Sequence, residues 1–163
     1  MTIIILFIAL SISLYTDIKS RKILNIVTFP SMLLGILFHT FSQGLSGLTF
    51  SLLGIATGFA LLVIPYALGG MAAGDVKLLM AIGALQGAVF TFYSFLSIAL
   101  FGGLIALFIL IRKKQLGSTL KRLFFFAQLR TLDGVSKDEF HHKFPYGVAI
   151  FLGTVIYTGV TFL

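Results

Sequence analysis

Cysteine and tryptophan are absent from this chain of 163 residues, proline occurs three times and acidic residues only five times. Without cysteine there is no disulfide framework and no thiolate metal site. With five acids and three histidines, a His/carboxylate metal site has little to draw on, so no metal and no cofactor are predicted. Charge is also scarce: 10% of residues are charged and 58% are hydrophobic. A soluble domain of this size could not bury so much apolar surface, which leaves a polytopic membrane protein lying in the lipid bilayer. The length has no room for a second sizeable unit, so residues 1–163 are predicted to form a single transmembrane domain. A net charge of +7 could point to nucleic acid. The bases, however, sit in short segments between apolar runs, where the positive-inside rule puts them, and no nucleic acid partner is predicted.

The apolar runs read as an all-α bundle of about six transmembrane helices. The first spans roughly Thr2 to Tyr15, the second Ile26 to Phe41, and the third Leu48 to Leu68. The apolar stretch from Leu78 to Ile111 would reach ~50 Å as one helix, well beyond a ~30 Å hydrocarbon core. It is therefore expected to hold two helices, with the turn at Gln86–Gly87 or within Thr91 to Ser94. A polar cytoplasmic loop at about 112–143 follows, and the last span runs from Phe144 to Leu163. Met1 to Leu14 lacks the basic flank of a signal peptide and is expected to stay as the first span. With both termini outside, every Lys and Arg falls in a cytoplasmic segment. Within the loop, Lys121 to Arg130 interleaves bases with aromatics and reads as a short helix on the membrane surface.

Asp17 and Asp75 are the only acids beside the membrane segments. Two crossings separate them, so both return to the same face. An ionisable group at the membrane is costly to bury and points to function. The alternatives are bland: Asp75 as a helix cap with Lys77 snorkelling, and Asp17 in an ordinary turn, paired with Lys19 or Arg21. Around Asp75 the run Gly69-Gly70-Met71-Ala72-Ala73-Gly74 lets backbones approach closely. His39, His141 and His142 read as interfacial residues. Asn25 reads as a capping or orienting group.

Together the two segments resemble the type IV prepilin peptidases, membrane aspartic proteases of the GxGD class. The first likeness is Asp17, Arg21 and Ile23-Leu24-Asn25; the second is Gly69 through Gly74-Asp75-Val76-Lys77-Leu78. Phe144-Pro145-Tyr146-Gly147 looks like the Pro-x-Gly start of the family's last span. Two positions depart from the pattern: Ala72 stands for the first Gly of GxGD, and Leu24 for the Pro of Ile-Pro-Asn. Longer members add a cytoplasmic domain with paired CxxC motifs and N-methylate the product. Nothing here matches that domain, so the resemblance is to the short, peptidase-only form.

The resemblance implies a prepilin or pseudopilin substrate, cut at the cytoplasmic face of the cell membrane between a basic leader and an apolar helix. Asp17 and Asp75 are the expected catalytic pair, sharing one proton across a water molecule. Gly74, Lys77, Arg21 and Asn25 are expected to bind substrate or shape the site. A substrate Glu just past the cut could pair with Lys77 or Arg21. Asp75 is the expected ionised partner, given a helix N-terminus there and Lys77 nearby. The competing class is a non-enzymatic membrane protein, a small transporter or assembly factor, with the aspartates as proton relay or caps. Nothing in the pattern specifies an oligomeric state.

Overall fold

A computed structural model describes residues 1–112 and 146–162. They form five helices: α1 (Thr2–Ser20), α2 (Asn25–Gln43), α3 (Leu45–Ala67), α4 (Ala73–Arg112) and α5 (Tyr146–Phe162). No strand occurs among the described residues. Four of the five, α1 to α4, are long and apolar enough to cross a membrane, and α5 is shorter but apolar. The proposed surface helix at 121–130, His141, His142 and the remaining acids lie outside the described residues.

The outside of the bundle is apolar, as that of a water-soluble bundle is not. On α1, Ile4, Ile8, Ile12 and Tyr15 are exposed, while Ser13 and Asp17 are buried beside Leu6 and Leu10. A stripe of large apolar groups facing outward, with polar groups turned in, is what a lipid environment selects.

Helix ends differ from the predicted spans for physical reasons. α1 continues past Tyr15 to Ser20, because backbone hydrogen bonding carries a helix on beyond its last apolar residue, which hydropathy does not register. Asp17 is therefore inside the helix and not in a turn. The α2–α3 link, expected at Ser42 to Gly47, is reduced to Gly44, whose positive φ of 64° reverses the chain. α4 begins at Ala73, five residues before the apolar stretch. Asp75 and Lys77 therefore sit in the first turns of the helix.

The long helix is interrupted at Gly87, which has φ 83° and ψ 174°. Of the two candidate turns, Gln86–Gly87 is the one the chain uses. Thr91 instead lies in helix and donates back to the Gly87 carbonyl at 2.8 Å. The two arms have different neighbours. Residues 73–86 run along α3, with Gly54 against Gly83 and Gly58 against Leu79. Residues 88–112 run antiparallel to α5, with Gly102 near Ala149, Ile98 against Gly153, and Phe90 and Tyr93 on Tyr157 at 5.0 and 5.7 Å between ring centroids. The start of α5 reaches Asp17 and the start of α4 packs on Ile23 in the link after α1, so the chain doubles back at Gly87.

A helix end inside a membrane leaves carbonyls without partners, and lipid offers none. Here other helices supply them. The Ser51 hydroxyl on α3 donates to the Ala84 carbonyl at 3.0 Å. His39 on α2 donates from Nε2 to the Leu85 carbonyl at 3.0 Å; the acceptor is a carbonyl, so Nε2 carries the hydrogen. Phe50 covers Gly87, where a side chain would overlap its ring, and the His39 ring tilts against Phe50 at 4.8 Å.

The α3–α4 seam is made by backbone touching backbone. A Cβ on Gly54 would overlap the Gly83 carbonyl, and one on Gly83 would overlap that of Gly54. Close approach of this kind drives helix association where lipid removes the hydrophobic force. Gly54→Val should lower stability by about 3 kcal/mol, since the overlap is with backbone that cannot swing away. Ser51→Ala, which orphans a carbonyl, should cost about 1–2 kcal/mol. Thermal unfolding in mild detergent measures both.

Candidate active site

Asp17 and Asp75 are both buried, at 6% and 4% exposure, although each lies within a turn of an exposed link between helices. Asp17 comes from the last turns of α1, on the inward stripe that carries Leu6, Leu10 and Ser13. Asp75 is the third residue of α4. Gly74 at the start of α4 packs on Ile23 in the link that follows α1, which brings both acids to one end of the bundle.

Each carboxylate is held by a backbone N–H at the start of a helix. The Ala72 N–H donates to Asp75 Oδ2 at 3.1 Å. Ala72 precedes α4, so Asp75 reaches back across the first turn as the acidic member of a capping box does. The Gly147 N–H, in the first turn of α5, donates to Asp17 Oδ2 at 2.9 Å. Tyr146 beside it is half-buried. The start of α5 thus faces Asp17.

The other predicted site residues divide into two sets. Gly74 packs on the link between α1 and α2: a Cβ there would lie 2.9 Å from Cβ of Ile23. This close fit explains why glycine precedes Asp75. Lys77 and Asn25 meet each other, the amine donating to Asn25 Oδ1 at 3.0 Å while lying 5.2 Å above the Phe29 ring. Lys77 thus ties α4 to α2 and makes no ion pair with Asp75. Among the described residues, neither Lys19 nor Arg21 pairs with Asp17; Lys19 instead lies over the Tyr15 ring at 5.6 Å. Arg21 caps α1 with φ 52° and ψ 36°, its N–H donating to the Asp17 carbonyl. A helix N-terminus does not mark Asp75 as the ionised partner, since Asp17 has that of α5.

The two departures from the expected pattern fit without strain. Ala72 is exposed, so its methyl meets no crowding. Leu24 takes φ −78° and ψ 132°, a φ that proline itself would adopt. No group of three or more metal-ligating side chains occurs among the described residues.

With this geometry in hand, the sequence profile of the type IV leader peptidase family matches residues 4–117. The chain belongs to the type IV leader peptidase family. Membership implies protease activity, and the matched stretch contains both aspartates. No curated protein and no solved structure matched. Gly147 falls after the matched stretch, and the sequence pattern did not mark it or Tyr146 as site residues. The available signal was Pro145-Tyr146-Gly147 at the start of an apolar run. That pattern locates a helix start but not what it touches.

Arg21 adopts a left-handed conformation that costs an L-residue roughly 1–2 kcal/mol. Arg21→Gly should therefore leave stability unchanged or raise it by up to about 1 kcal/mol, as read from thermal unfolding. Any fall in activity of that variant then reports on the guanidinium alone.

Proposed function

We propose that this family member is a membrane-embedded aspartic endopeptidase that removes the basic leader from prepilins or pilin-like precursors. Asp17 and Asp75 are its catalytic pair. What supports this reading is the presence of two buried acids, from helices far apart in sequence, at one end of an apolar bundle, each bonded to backbone at a helix start. In this reading the chain crosses six times, counting the two arms of α4 separately, with both termini outside and the aspartates at the cytoplasmic face of the cell membrane; the confinement of Lys and Arg to alternate loops supports it.

In the reaction, the ionised member of the pair takes a proton from water as its oxygen attacks the scissile carbonyl. The protonated member hydrogen-bonds to the carbonyl oxygen and gives up its proton as the tetrahedral intermediate forms. Collapse breaks the C–N bond, and the leaving amine takes a proton from the pair. The membrane boundary suits this chemistry: water reaches the cut, while the apolar stem of the substrate stays in lipid. N-methylation of the product is not part of this reading, since nothing in the chain resembles the CxxC-bearing domain that accompanies it in longer members.

A second reading is favoured by one specific observation: each carboxylate accepts from a helix N-terminus, so both could be caps and nothing more. Asparagine separates the two. It keeps a carbonyl oxygen as acceptor and so preserves the cap, but it cannot exchange protons. Asp17→Asn and Asp75→Asn should each insert and accumulate normally, yet lower leader cleavage by about 10³-fold or more. The assay is processing of a precursor with a basic leader and an apolar stem, in cells and in proteoliposomes. Normal cleavage by both variants would leave only the capping role.

A further inference from the structure

We propose that the backbone N–H of Gly147 is a positioning group for Asp17, and that only glycine can present it. This rests on the peptidase reading of the two aspartates. The N–H meets Oδ2 at 2.9 Å, with both residues buried. A Cβ on Gly147 would lie 2.6 Å from Oδ2 and 3.0 Å from the Asp17 Cβ. The carboxylate therefore occupies the space a side chain would need, and it could not stay where it is if one were added.

The chemistry of the helix start explains the pairing. The first N–H groups of a helix have no partner within it. The residue ahead of α5 is Pro145, which has neither an acceptor side chain nor an N–H of its own. Asp17 reaches over from α1 and fills the place an N-cap residue would take. The bond thus serves two ends: it caps α5 and it fixes the rotation of the Asp17 carboxyl group. Gly159 on the same helix is not under this constraint. A Cβ on Gly159 would meet nothing within 4 Å.

Three variants test this in nanodiscs with the same leader-bearing precursor. Gly147→Ala displaces the carboxylate and should lower kcat by about 10²-fold, the cost of moving a reacting group by about an ångström. Replacing Gly147 by glycolate in cell-free synthesis turns the amide into an ester. It removes the donor and adds no side-chain atom, and kcat should fall about tenfold or more. In both, KM should stay within about twofold, because substrate binding is not what the bond serves. Gly159→Ala, a methyl on the same helix away from Asp17, should keep full activity.

If the ester variant cleaves at the wild-type rate while Asp17→Asn does not cleave, the proposal is wrong and the peptidase reading stands. A variant with lowered thermal stability but normal kcat in the folded fraction would make Gly147 a structural contact only, which also overturns it. Normal cleavage by Asp17→Asn would remove the peptidase reading and this proposal with it. Should Gly147→Ala fail to accumulate, the ester variant decides.

Discussion

A helix end buried among other helices must find partners for terminal N–H and C=O groups that water would otherwise satisfy. This constraint organises the bundle. The broken end of the first arm of α4 takes donors from Ser51 and His39. The start of α4 gives an N–H to Asp75, and the start of α5 gives one to Asp17. Three of these four partners come from another helix, so satisfying helix ends also sets how the helices pack.

Close packing makes such reach possible. Ser51 touches the carbonyls of both Gly35 and Ala84 because α2, α3 and the first arm of α4 approach at glycine. A Cβ on Gly35 would lie 2.6 Å from the Ala84 carbonyl oxygen, and one on Gly58 would lie 2.7 Å from that of Leu79. Large apolar side chains are spent on the outer surface, and the interior is narrow and partly polar. Such an interior can hold two acids at its rim without opening a water-filled core. The cost is that single methyl groups along the seam are badly tolerated.

Capping and acid–base chemistry are not rivals at these aspartates. A carboxylate has two oxygens and about four lone-pair sites, and the N–H groups of Ala72 and Gly147 each engage a single oxygen. Holding a carboxyl group by a bond that does not react is how a site keeps a reacting group in place. For Asp17 the holding group arrives from the far end of the chain. The last helix is thus tied to the geometry of the pair even though its sequence contains no acid or base of its own.

Much of the fold was legible in the sequence. Apolar run lengths place the helices, and the distribution of Lys and Arg is consistent with their order. The Leu78–Ile111 stretch was too long for one span, and the glycine at position 87 is where it breaks. Two aspartates in GxGD-like surroundings marked the candidate site. Helix starts were less legible: apolar content locates the middle of a span, whereas Ala73 to Lys77 join α4 through backbone bonding that hydropathy does not register. Contacts between distant segments were not legible at all. That Lys77 turns to Asn25, that Asp17 meets Gly147 and that Gly54 lies on Gly83 follow from the packing of whole helices against one another. Such packing depends on shape summed along each helix, and no local pattern of residues encodes it.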